Sequence, residues 1–148
     1  SPENSGKWLD LGSGGGFPGI LVAIYSKHKQ PMQTVTLMES DVRKVQFLRT
    51  AIRELGLNAT VVNERIEKAA PHGADVISAR ALASLDILLG FVKRHLKSDG
   101  TLLVHKGSRF QEELDAARMN WHFDYKVCPS TTDSNAAILE IRAIQDVR

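Results

Sequence analysis

Residues 8–20 read W-L-D-L-G-S-G-G-G-F-P-G-I, and this stretch limits what the chain can fold into more than any other. A short apolar strand (Trp8, Leu9, Leu11) runs directly into Gly12, Gly14, Gly15 and Gly16. Pro18 then opens an apolar run of Ile20, Leu21, Val22, Ala23 and Ile24, placed where the first turn of a helix needs no N–H. The reading is strand, tight turn, helix start. Glycines let the backbone turn with positive φ and let a ligand lie against bare main chain beside the N–H groups of a helix N-terminus. A nucleotide-like ligand is therefore expected there.

Two cofactor types compete for such a turn, and Asp10 separates them. A dinucleotide would set its pyrophosphate on the turn, where a carboxylate two residues before the first glycine repels it. S-adenosylmethionine carries no phosphate, and its sulfonium and ammonium suit an acidic neighbour. The spacing D-x-G-x-G-x-G, from Asp10 to Gly16, is also similar to the first motif of the class I methyltransferases. Residues 34–38 (T-V-T-L-M) form the next predicted strand and end at Glu39. In a doubly wound sheet that end neighbours the glycine turn, and a carboxylate there can accept both hydroxyls of an adenosine ribose. The competing role for Glu39 is that of an acid before a helix N-terminus, with Ser40 and Asp41.

With 148 residues the chain is one domain with room for a real core. Its 43% hydrophobic and 24% charged residues are globular values and exclude a disordered class. Arg80 and Asp86 interrupt the longest apolar region, residues 77–92, so no bilayer span is expected. A net charge of +2 permits a nucleic-acid partner without requiring one. The single cysteine, Cys128, cannot form an internal disulfide, which fits a reducing cytoplasm, and no secretory signal is visible. The five histidines lack metal-ligand spacing, so no metal is expected. Residues 1–6 (S-P-E-N-S-G) read as the tail of a linker.

Along the chain, helices are expected over residues 20–27, 42–55, 82–96 and 109–118, with strands at 59–63, 75–78 and 101–104. The second helix carries Val45, Leu48, Ile52 and Leu55 as its apolar stripe, Arg43, Lys44, Arg49 and Arg53 elsewhere on its surface, and Gly56 as its stop. Asp99-Gly100 is read as the turn into the strand at Thr101, and Ser108 as a helix cap. Residues 123–128 and 136–144 alternate in polarity and close the sheet as an antiparallel pair. The expected fold is thus α/β, a Rossmann-like doubly wound sheet, mostly parallel, with an antiparallel C-terminal hairpin. Ile66 and Glu67 follow the third strand, where an adenine would lie, and Arg80 and Lys106 leave the fourth and fifth strands on the same rim.

The chain resembles a named family, the bacterial small-subunit (16S) ribosomal RNA methyltransferase G, formerly called glucose-inhibited division protein B. The matching stretches are D-L-G-S-G-G-G-F-P-G-I (10–20), E-S-D-V-R-K-V-Q-F-L (39–48), E-R-I-E (64–67), S-A-R-A-L-A-S-L (78–85) and H-K-G (105–107). The resemblance implies transfer of a methyl group from S-adenosylmethionine to N7 of a guanosine in 16S ribosomal RNA, free or in the small ribosomal subunit, by a cytoplasmic monomer. Carried over by motif, it implies cofactor contacts at Gly12 and Phe17 in the first turn, at Ile66 and Glu67 near the adenine, and at Arg80 close to the reacting end; the reading of the residues themselves adds Asp10, Gly14, Gly16 and Glu39 as cofactor-binding residues and Lys106 beside Arg80. The family has a helical segment before its first strand that this sequence lacks, and many members carry arginine where Asn135 falls.

Guanine N7 is an unprotonated lone pair, so its methylation needs positioning and no base. This agrees with the residues: S-A-R-A stands where amino-group methyltransferases carry N/D-P-P-Y/F, and Cys128 falls in a late strand as a buried thiol rather than a nucleophile. Arg80 and Lys106 can bind RNA phosphate, orient the guanine O6 or hold the cofactor carboxylate; the structural alternative is an ion pair with Asp10 or Glu39. Three other classes stay open: a small-molecule methyltransferase, a nicotinamide dehydrogenase, which Asp10 disfavours, and a non-catalytic RNA-binding module.

Overall fold

The computed structural model of the chain describes residues 6–12, 19–29, 33–80, 83–129 and 135–148. The elements are β1 (Lys7–Leu11), α1 (Gly19–Lys29), β2 (Thr34–Met38), α2 (Val42–Leu55), β3 (Ala59–Val62), β4 (Ala74–Ala79), α3 (Leu85–His95), β5 (Leu96–Lys106), α4 (Phe110–Ala117), β6 (Trp121–Pro129) and β7 (Ala137–Asp146). They build a seven-stranded sheet in the order β3-β2-β1-β4-β5-β7-β6. The first five strands are parallel, and β7 runs antiparallel to both β5 and β6.

Side-chain alternation splits the core between the two faces of the sheet. On β2, Val35 and Leu37 join Ala23, Val45, Leu48 and Val61 under α1 and α2. On β1, Leu9 and Leu11 join Ile77, Leu102, Val104 and the α3 residues Leu85, Leu88, Leu89 and Val92 on the other face. Those four α3 side chains are fully buried, each contributing about 1.5–3 kcal/mol.

Helix α2 starts and stops for local reasons. Asp41 caps it by accepting the Arg43 N–H at 2.9 Å, and Gly56, at φ +60°, lets the chain turn back so that the Leu57 N–H reaches the Ile52 carbonyl at 3.0 Å. Leu55 of the expected apolar stripe is exposed. Three other expectations are corrected. Helix α3 begins at Leu85, not Leu82. Asp99-Gly100 is no turn between separate elements. It lies in a bulge of β5, where Ala74 pairs with Leu96 and Val76 already pairs with Thr101. Gly100 is needed there because a Cβ would come within 2.5 Å of the Leu96 side chain. Ser108 does not cap α4; Arg109 precedes the helix and no side chain caps its N-terminus. A second bulge lies between His122 and Asp124 on the β6–β7 ladder, opposite Ala143 at φ +55°.

Candidate active site

Parallel register brings the carboxyl ends of β1, β2, β3, β4 and β5 to one rim, since Leu11 pairs with Met38 and Ala79, Met38 with Val62, and Ala79 with Val104. Gly12, Glu39, Arg80 and Lys106 therefore emerge together, as their order in the chain implies. Gly12 sits at φ +65° and donates its N–H to the Met38 carbonyl at 2.9 Å, a bend that a side chain would strain. Gly14, Gly16 and Phe17 lie outside the described residues.

A cleft of about 360 Å³ opens beside Gly12 and is lined by Met38, Glu39, Ser40, Lys44, Glu64, Arg65, Ile66, Glu67 and Phe91. It unites Gly12, Glu39, Ile66 and Glu67 from the sequence reading. Glu39 is only 8% exposed, and its Oε2 accepts the Asp41 N–H at 3.0 Å, so its acidic role before α2 is real and also fixes the carboxylate at the cleft. Ile66 is buried, while Glu67 is exposed and lies 3.8 Å from Arg65. The fit to an adenosine-bearing ligand is chemical: a buried carboxylate for vicinal hydroxyls, and the apolar surfaces of Ile66 and Phe91 for a base.

Lys44 and Phe91 were not foreseen at this cleft. Lys44 is on the first turns of α2 and was read only as part of a charged surface. Phe91 comes from α3, and only the packed sheet brings it to Glu39. The same helix supports the turn carrying Ile66: His95, fully buried, donates from Nε2 to the Ile66 carbonyl at 2.8 Å, and Arg94 Nε donates to the Ala69 carbonyl at 2.7 Å. The His72 ring packs edge-on to His95 at 5.7 Å. Burial, followed by the charges of His95 and Lys7, holds His72 below its ordinary value of 6.5.

Asp10, next to last on β1, is completely buried. Its Oδ1 accepts the Ser78 hydroxyl at 2.6 Å, and Ser78 in turn accepts the Trp8 indole N–H at 2.9 Å. A Cβ on Gly19 would lie 2.7 Å from its Oδ2, so the carboxylate stands against the first residue of α1. Asp10 thus faces the start of α1. Trp8 is half-buried against the α1 and α2 side.

Arg80 is exposed just past β4. Lys106, in contrast, is 3% exposed and lies 2.8 Å from Glu113 Oε1, donating also to the Ala83 carbonyl at 2.8 Å. The ion pair weighed as the structural alternative for Lys106, with Asp10 or Glu39 as partner, is made with Glu113 of α4, because the short connection of residues 107–109 folds that helix back over the end of β5, which no spacing in the sequence dictates. A larger cleft of about 700 Å³, lined by Ala83, Ser84, Leu85, Asp86, Lys106, Arg109, Glu112, Glu113 and Ala116, opens at this point. The cofactor reading stays with the smaller cleft, where the glycine bend and the buried acid are. Cys128 is half-buried on β6, and no group of three metal-ligating side chains occurs among the described residues. No described helix is long and apolar enough to cross a membrane.

Solved structures share this architecture. A SAM-dependent methyltransferase from Aquifex aeolicus superimposes with a TM-score of 0.72 over 97% of this chain and 84% of its own, at 16% identity. A fibrillarin/Nop5p complex matches with a TM-score of 0.71 over 96% of this chain and 73% of the other, at 13% identity. These likenesses establish the class I methyltransferase fold. Sequence relatives go further. A protein of Ruegeria sp. (strain TM1040) named ribosomal RNA small subunit methyltransferase G is 50% identical over 147 residues, covering 99% of this chain and 71% of the relative. One of the same name from Cereibacter sphaeroides (strain ATCC 17025) is 48% identical over 96% of this chain and 68% of its own length. The family model described as rRNA small subunit methyltransferase G matches residues 1–141. With the glycine bend, the buried acid after β2 and the β4–β5 rim all in place, this chain belongs to the rRNA small subunit methyltransferase G family.

Proposed function

We propose that the chain transfers a methyl group from S-adenosylmethionine to N7 of a guanosine in 16S ribosomal RNA. The observation that carries the reading is the pair of clefts on one sheet rim, one holding Gly12 and buried Glu39, the other opening at the end of β5 between the start of α3 and α4. The donor supplies an electrophilic methyl on sulfonium, whose transfer to a lone pair leaves a neutral thioether. Glu39 accepts the ribose hydroxyls, Ile66 and Phe91 flank the adenine, and Glu67 gives it a polar contact. Gly12, Gly14, Gly16 and Phe17 would contact the methionine end, and Asp10 holds the end of β1 against the start of α1. Arg80 stands on the acceptor side.

Guanine N7 carries no proton, so no residue has to remove one, and the guanine leaves the reaction as a cation. The protein's task is to align acceptor and methyl and to exclude water. The support for RNA as acceptor is the name borne by the relatives at about half identity.

Calorimetric titration with S-adenosylhomocysteine, followed by transfer of labelled methyl to small-subunit RNA and nucleoside analysis of the product, tests the reading. The expected result is saturable binding and 7-methylguanosine at one position. Absence of binding, or label on another atom, would overturn it.

A further inference from the structure

The contacts of Lys106 join three elements at one point. Its ammonium pairs with Glu113 on α4 and donates to the carbonyl of Ala83, which lies between β4 and α3. The same oxygen, Glu113 Oε1, accepts the N–H of Leu85 at 3.0 Å. Leu85 is the first residue of α3, and its N–H is one of those a helix leaves without an internal partner. Ser84 precedes it yet makes no side-chain cap hydrogen bond. Glu113 therefore performs, from another helix, the duty that a capping serine would perform locally.

A lysine this buried is costly to desolvate, and an ion pair in such a place is weak evidence for stability alone. What the pair does fix is position: it pins Ala83 and the start of α3 against the end of β5. Arg80 leaves β4 three residues before Ala83, on the same sheet rim where Lys106 ends β5. We propose that Lys106 and Glu113 act as one positioning unit, setting Ala83 and the start of α3 at the acceptor side of methyl transfer, beside the rim where Arg80 emerges, and that Lys106 does not grip RNA phosphate. This rests on the functional reading above and adds the division of labour within it: Arg80 meets the acceptor, and Lys106 and Glu113 fix the start of α3 beside it.

The test compares Lys106→Met, Glu113→Ala and the double variant in the full chain. Each single change should lower kcat at saturating donor and RNA by about tenfold to a hundredfold, the size expected of a misplaced reacting group. The double variant should lose no more than the worse single one, because both remove the same unit. The KM for RNA and its salt dependence should stay as in the parent, S-adenosylhomocysteine affinity should persist as the check on folding, and amide exchange at residues 83–86 should accelerate in every variant. If Lys106 bound phosphate, Lys106→Met would weaken RNA binding and reduce the salt slope by about one, while Glu113→Ala would leave binding intact or tighten it. That pattern, additive losses, or unchanged exchange at residues 83–86 would each overturn the proposal. Should Lys106→Met not fold, the Glu113 variant decides alone through its RNA affinity and exchange. Failure of the parent chain to methylate RNA counts against the functional reading, and the exchange measurement still decides the positioning unit.

Discussion

Glu39 shows how one side chain serves two demands. Its Oε2 holds the Asp41 N–H, and its burial at the cleft places the carboxylate where ribose hydroxyls are expected. Glu39→Ala should weaken S-adenosylhomocysteine binding by about 1.5–3 kcal/mol, the size of hydrogen bonds to a charged group. A 2′,3′-dideoxy analogue should bind parent and variant equally in the same calorimeter. If that analogue also lost affinity on the change, the hydroxyl assignment would fail. At this scale the sequence was informative wherever the chemistry is local. Glu39 follows an obvious strand, and Gly12 stands in an obvious turn. It was uninformative about Phe91, Glu113 and His95, whose partners are set by helices crossing the sheet; no spacing within a helix names the strand end it will meet. Asp10 lies between these cases. Its place on β1, two residues before Gly12, was legible, but its partners, Ser78 and the start of α1, come from β4 and from close packing.

Among the elements, α2 was read to the residue because Asp41, the apolar period and Gly56 all agree. Where a boundary depends on tertiary contact the reading slipped, as at α3, whose first N–H is satisfied from α4, and at β5, whose bulge follows the strand beside it. The start of α1 gives a sharp test of close packing. A Cβ on Gly19 would come within 2.3 Å of Leu37 Cδ2 as well as meeting Asp10. Gly19→Ala should cost about 1–3 kcal/mol of stability in urea unfolding, because the helix must shift off β2. Gly107→Ala, where a Cβ meets nothing within 4 Å, is the control and should stay within about 0.5 kcal/mol of the parent. Equal stability of both variants would mean that the helix start yields more readily than the packing indicates.

For the whole molecule, alternation along β6 and β7 announced an antiparallel pair, and the parallel part of the sheet followed from alternating strands and helices. The spatial order could not be read that way, because the hairpin can dock by either strand. In the structure the later strand, β7, lies inside, and β6 reaches the sheet through it alone among the described residues. That insertion dictates a sequence of events in time. The hairpin contacts are local and close early, whereas β7 must find β5 across the intervening α4, a slower and longer-range search. Refolding followed by pulsed amide labelling should show β6 and β7 gaining protection together, with residues 102–106 of β5 no earlier than their new neighbour. Protection of β6 ahead of β7 would refute this order. A growing chain that has made β6 but not β7 has nowhere to put it, so the outer edge of β5 stays open to other strands until the last of these residues has been made.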